Sequence, residues 1–171
     1  MPVYFITVHT YRSWREDNPW GYIQRGKPGV QRPNARLAEY RQQSATGPRV
    51  ELTEPQIVSV LKSLHEVCLN LEVTPYAASC TPTHWHLLVG WIETDELKVA
   101  TEAADQSRSI ATRLKRVVGS KLSAEVGQTG LRWFSHGWHI ERIDEQKHFD
   151  HLAENYLPKH ASEGGRFVAW S

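Results

Sequence analysis

Apolar positions change their period along this chain, and the changes mark out seven elements. Residues 3–11, VYFITVHTY, run without Pro or Gly and are rich in β-branched and aromatic side chains, which predicts a strand buried on at least one face. The pattern then dissolves: residues 12–50 are dense in Gly, Pro and Arg and read as a long irregular loop with one helical turn near Ala35 to Gln42. Periodicity returns at Thr53-Glu54-Pro55-Gln56, a capping-box pattern with Pro in the first turn, followed by Ile57, Leu61, Leu64, Cys68 and Leu71 at helical spacing. Residues 74–81, TPYAASCT, and 84–92, HWHLLVGWI, read as two strands joined at Pro82-Thr83, an antiparallel hairpin. Ala103, Ser107, Ile110, Leu114 and Val117 share one face of a second helix, with Gly119 placed to terminate it. Residues 138–143 predict a fourth strand, and 145–157 a last helix ended by Pro158.

The order β-α-β-β-α-β predicts an α+β, ferredoxin-like fold, an antiparallel sheet with two helices on one face and an additional C-terminal helix. At 171 residues, residues 1–171 are read as one domain.

Composition sharpens this picture in three places. No run of about 18 apolar residues exists, and the N-terminus lacks the features of a cleaved leader, so the chain is expected to be cytoplasmic and without a membrane partner. Cys68 and Cys80 are not paired as C-x-x-C and read as core thiols. The formal net charge of +1 conceals segregation: residues 1–50 carry eight Lys/Arg against three Asp/Glu, 51–102 two against eight, 103–121 five against one, and 122–171 five against seven. Two basic segments could build a local phosphate-binding surface.

The local signal for chemistry is His84-Trp85-His86, because side chains two apart on a strand share a face. Both imidazoles can then reach one metal, while Trp85 turns to the opposite face with Leu87 and Val89. In HFDHLAENYLPKH, Tyr156 precedes His160 by four residues, a spacing that stacks side chains on one helical face. Pro158 stands between them and disfavours helical geometry at Leu157, an obstacle to His160 joining the site. A phenol with a pKa of about 10 is a poor nucleophile unless a neighbour such as a divalent cation favours the phenolate.

Three blocks carry a family resemblance: YFITVHTYRSWREDNPWG at 4–21, CTPTHWHLLVGW at 80–91 and RWFSHGWHIERIDEQKHFDHLAENYLPKH at 132–160. They resemble the HUH single-tyrosine transposases, REP-associated tyrosine transposases and insertion-sequence-200-like transposases among them. The resemblance implies a Mg²⁺ or Mn²⁺ ion, single-stranded DNA with hairpin structure as substrate, and cleavage and rejoining through a 5′-phosphotyrosine. It implies Tyr156 as nucleophile and His84 and His86 as metal ligands, with His160 in the place of a third. Three histidines suit Mn²⁺ or Zn²⁺ better than Mg²⁺, which prefers oxygen donors.

For phosphate contacts the charge pattern nominates Arg113, Lys115 and Arg116 on the second helix, with Arg12, Arg15 and Arg25 from the loop. Trp14, Trp20, Tyr22, Trp133 and Trp138 are candidates for base stacking or for the core, and His139 could face the site. Two other functions fit the same residues, a DNA-hairpin-binding protein that does not cleave and a small metallohydrolase that activates water. A homodimer in which the tyrosine helix serves the partner's metal is equally open at this point.

Overall fold

Alternation along Val3–His9 (β1) divides the molecule. Tyr4, Ile6 and Val8 enter the larger apolar core, whereas Phe5 enters a smaller one on the other side of the sheet. The computed structural model describes residues 1–13, 15–19, 21–23, 30–44, 47–92, 94 and 109–170, the side chains of residues 23 and 30 excepted. Along the chain follow the short ribbon Tyr22–Ile23 (β2) with Val30–Gln31 (β3), helix Ala35–Gln43 (α1), helix Glu54–Asn70 (α2), strands Thr74–Cys80 (β4) and His84–Gly90 (β5), helix Ile110–Glu125 (α3) and strand His139–Ile143 (β6). The chain then runs through helix Gln146–His151 (α4), a π turn Leu152–Tyr156, a helical turn Leu157–Lys159 (α5), a 3₁₀ turn His160–Glu163 and strand Arg166–Ala169 (β7).

The sheet order is β6-β1-β5-β4-β7, antiparallel at every pairing. Four of these strands and helices α2 and α3 make the ferredoxin-like βαββαβ plan. Thr53 N–H donates to Gln56 Oε1 at 2.9 Å, which fixes the start of α2. Ile57, Val60, Leu61, Leu64, Val67 and Cys68 of α2, with Ile110, Ala111, Leu114, Val118 and Leu122 of α3, cover one face of the sheet. Trp85, Leu87 and Val89 are fully buried beneath them. Both thiols lie in this core, where burial pushes Cys68 up to about 12 and Cys80 higher still, so neither is a reactive thiolate. The opposite face is covered by the C-terminal helical segment, whose Leu152 and Leu157 close over Phe5, Ala77 and Leu88.

Four sequence expectations are corrected. Gly119 does not end α3, which continues to Glu125. A helical glycine costs only about 1 kcal/mol relative to alanine. Leu122 carries the buried stripe one turn further, and Trp133 and Phe134 pack beside the bare Cα. Second, Pro158 does not terminate the last helix. Proline cannot donate and its ring presses on the carbonyl four residues back. The turn before it is widened, so that Leu157 N–H bonds to Leu152 O, five residues back, and helical structure passes through Pro158 to Glu163. The path ends at Gly164, φ +78°. Third, β7 lies on the edge of β4, where no strand was expected. Fourth, the 12–50 loop is not wholly irregular, since it contains β2, β3 and the nine-residue α1. Ala103, Ser107 and the other residues of 95–108 lie outside the described residues.

Gly165 makes the turn into β7 possible by close approach. A Cβ there would collide with the carbonyl oxygen of Cys80 and stand 2.8 Å from that of His160. Both obstacles are backbone, so neither can swing aside. Gly165→Ala is expected to destabilise the chain by about 1–3 kcal/mol, the cost typical of overpacking. Thermal unfolding would register this as a melting temperature several degrees lower, and an unchanged one would mean that the turn shifts freely.

Candidate metal centre

Strand β5 starts with His84 and His86 on the face that carries Leu88, away from the α2/α3 core. The π turn and the turn through Pro158 carry His160 onto that same face. The three imidazoles converge: ring centroids are 4.8 Å apart for His84 and His86, 5.2 Å for His84 and His160, and 4.9 Å for His86 and His160. One ligating atom from each lies within 4.8 Å of the others. Widening one turn by a residue is the local cause, because Pro158 would otherwise break the register between Tyr156 and His160.

Each ring is held by its Nδ1. His86 Nδ1 shares a hydrogen bond with Thr7 Oγ1 at 2.8 Å, across the β1/β5 pairing that sets Thr7 opposite His86. His84 Nδ1 lies 3.0 Å from both Thr81 Oγ1 and Thr83 Oγ1, hydroxyls of the hairpin connection. His160 Nδ1 meets Glu163 Oε2 at 2.8 Å, one turn further along its own segment. With Nδ1 engaged, Nε2 is the donor left to each ring. Among the described residues the Nε2 atoms of His86 and His160 are buried without a hydrogen-bond partner, as is Ser79 Oγ on β4 opposite His86. Buried polar atoms are seldom left unpaired, so orphaned Nε2 atoms at the focus of three oriented imidazoles fit a metal ion. The all-nitrogen donor set suits a borderline cation such as Zn²⁺ better than a hard cation that prefers oxygen donors.

The electrostatics agree with ligation by neutral imidazole. Burial lowers His84 to about 4, aided by the positive charges that His9 and His160 would carry, while Glu163 opposes the shift. Burial and the neighbouring His84, His160 and His9 lower His86 to about 2. Both are uncharged at neutral pH and ready to donate a lone pair.

Tyr156 completes the group. Its ring stands 5.4 Å from His86 and 5.0 Å from His160, edge-on to both, and 5.8 Å from Phe5. It is 36% exposed, so the phenol opens to solvent at the rim of the cluster. Burial, and then the Glu163 carboxylate, raise its pKa. The cluster by itself therefore holds the phenol protonated. A phenol of this kind becomes a nucleophile only when a positive charge is added beside it.

No protein-family description matches the chain, and no curated protein does. Among solved structures it is similar to a REP-associated tyrosine transposase bound to a REP hairpin. The identity is 12% and the TM-score 0.47, over 95% of this chain and 68% of the other. A likeness that loose decides nothing about activity.

The basic residues nominated from the sequence separate. Arg12 and Arg15 line one pocket at the end of β1. Lys115 and Arg116 line an adjoining cleft, and Arg113 lies at the other end of the sheet beside Met1 and Trp91. Arg25 is outside the described residues, as are Trp14 and Trp20. Lys115 is otherwise engaged: its ammonium donates to the carbonyls of Ser135, His136 (2.8 Å) and Gly137 (3.3 Å) and stands 5.2 Å from the Trp138 ring. Burial there lowers it to about 8. It holds the 135–138 loop onto α3. Tyr22 and Trp133 are buried, so neither offers a free stacking surface. His139 is exposed on the edge strand β6, its Nε2 4.0 Å from Glu141.

Sequence reading passed over the residues that orient the cluster. Thr7 and His9 follow the same alternation on β1 as Phe5, and His9 sits opposite His84 with rings 5.5 Å apart. That alternation could have placed them. Glu163, three residues after His160, was accessible from helical spacing once the helix was known to pass Pro158.

Proposed function

We propose that the chain is a divalent-metal-dependent transesterase that cleaves and rejoins hairpin-bearing single-stranded DNA, with His84, His86 and His160 as metal ligands and Tyr156 as nucleophile. The observation that carries this reading is the juxtaposition of a rim-exposed phenol and three Nδ1-anchored histidines within one chain. The substrate class comes from the resemblance of residues 4–21, 80–91 and 132–160 to the HUH single-tyrosine transposases. In this reading residues 1–171 act as one domain and Tyr156 serves the metal of its own chain.

When bound, a divalent cation at the three histidines draws charge from a phosphate oxygen and favours the phenolate. Tyr156 gives its proton to solvent, to which its ring is open, and its Oη attacks phosphorus in line with the leaving oxygen. The Oη–P bond forms as the P–O3′ bond breaks. The 3′ oxygen takes a proton and leaves as a hydroxyl, and the 5′ side stays esterified to the chain. Attack by a 3′-hydroxyl reverses the exchange with no loss of phosphodiester bonds. Thr7, Thr81, Thr83 and Glu163 keep the imidazoles turned to the centre throughout.

Incubation with Mn²⁺ and labelled hairpin-bearing single-stranded oligonucleotides should give a protein–DNA adduct that survives denaturation and disappears with a chelator. Cleavage without any adduct would favour metal-activated water instead. Binding with neither cleavage nor adduct under Mg²⁺, Mn²⁺ or Zn²⁺ would leave a DNA-binding protein.

A further inference from the structure

Beyond the histidine cluster, the strongest feature is a pocket of about 400 Å³ at the end of β1, lined by Arg12, Arg15, Arg41, Arg49 and Arg132. Among the described residues Glu16 is the one carboxylate that lines it, and Glu16 is ion-paired with Arg41. Three separate parts of the chain supply these arginines: the segment after β1, the region from α1 to residue 49, and the loop before β6. Arg41, Arg15 and Arg49 are paired with Glu16, Asp17 and Glu51, while Arg12 and Arg132 carry no ion pair among the described residues, and this remaining excess of positive charge suits a site for an anion.

The pocket is also built. Arg12 has φ +62°, a conformation uncommon for a residue with a side chain. Its guanidinium is fixed on the carbonyls of Gly47 (2.6 Å) and Gln42 (3.4 Å). Arg132 lies over the Tyr11 ring at 5.2 Å. Arg15 is held in a two-point pair with Asp17 at 2.9 and 2.6 Å, and Arg49 lies 2.9 Å from Glu51. A guanidinium has five N–H donors, so these partners orient the groups and leave donors to spare. The pocket is linked to the cluster through the end of β1. Ser135, in its wall, donates its N–H to His9 O at 2.9 Å, and the His9 ring faces His84. No more than about 10 Å of extended backbone separates His9 from Arg12.

We propose that this arginine pocket seats a backbone phosphate of the single strand whose neighbouring phosphodiester lies at the histidine cluster. The assignment rests on the DNA reading above and adds where the strand is held. Guanidinium forks match phosphate oxygens in pairs and take no account of base identity, so the pocket sets the register of the strand on the enzyme rather than its sequence.

The test measures binding of a labelled single-stranded oligonucleotide, in chelator to prevent turnover, as a function of salt. Arg49 and Arg132 are exposed and their replacement leaves the core untouched. The double variant Arg49→Gln, Arg132→Gln is expected to bind about tenfold more weakly at low salt. Its log–log salt slope should be shallower by about 0.7 for each phosphate no longer neutralised. Lys62→Gln, on the outer face of α2, is the control and should behave as the parent. If the parent binds and the double variant matches it in affinity and slope, the pocket assignment fails while the DNA reading stands. If the parent binds no single-stranded DNA, both fail. If inorganic phosphate raises the parent's melting temperature through these arginines while oligonucleotide binding is unaffected by their replacement, the pocket is a free-anion site and the proposal is overturned.

Discussion

Tyr156→Phe is expected to form no denaturation-resistant DNA adduct under conditions in which the parent chain accumulates one, a loss to below detection rather than a slowing. The substitution removes one atom, Oη, and keeps the ring whose edge meets His86, His160 and Phe5. Because that ring lies at the rim, the stability change should stay within about 0.5 kcal/mol, as for most surface changes. Metal affinity should be unaltered, since the three imidazoles are oriented by Thr7, Thr81, Thr83 and Glu163 and not by the phenol. DNA binding should survive too. The prediction is thus a separation of functions, with binding of metal and strand intact and covalent chemistry absent. An adduct that persists in the variant would place the nucleophile elsewhere and remove the reason for the tyrosine to stand beside the histidines.

What could be read from the chain, and what could not, follows from the range of the interactions involved. His84 and His86 on one face with Trp85 on the other is a consequence of strand alternation, which needs no knowledge of partners. The βαββαβ order is legible for the same reason, since each element announces itself by its own period. Pro158 misled because its effect depends on the turn before it: in a regular helix it would end the segment, but a π turn at Leu152–Tyr156 absorbs it. Gly119 misled because whether a helical glycine terminates depends on what lies beyond, here Leu122 and the rings of Trp133 and Phe134. Lys115 has the look of a phosphate ligand in a basic helix, yet its ammonium is taken up by three carbonyls from a loop about twenty residues away. The arginine pocket was half visible in Arg12 and Arg15. Arg41, Arg49 and Arg132 join it only through tertiary structure, so no spacing rule could have gathered them.

His86→Ala should cost the cluster its metal and, in the metal-free chain, make folding less sensitive to acid. Changing a residue that only orients a ligand typically lowers metal affinity about 10–100-fold, so removal of a ligand should exceed about 100-fold. Titration with Mn²⁺ or Zn²⁺, followed by calorimetry or by the rise in melting temperature, would measure it. The acid behaviour follows from the lowered His86 pKa. In the unfolded chain this histidine takes up a proton as pH falls through its usual value near 6.5, whereas in the folded chain burial and the surrounding histidines hold it neutral down to about 2. Between those limits the unfolded state binds more protons, so each such histidine reduces stability by about 1.4 kcal/mol for every pH unit of acidification. Above about 6.5 the effect is absent. His84, held at about 4, contributes in the same direction over a narrower window. Removing His86 should therefore make the slope of unfolding free energy against pH shallower between about 6.5 and 4, even though the variant starts lower at neutral pH because a buried ring packed on Phe5 and His160 has been deleted. A variant with full metal affinity would exclude His86 as a ligand, and an unchanged acid slope would mean that its imidazole is not kept neutral by the fold.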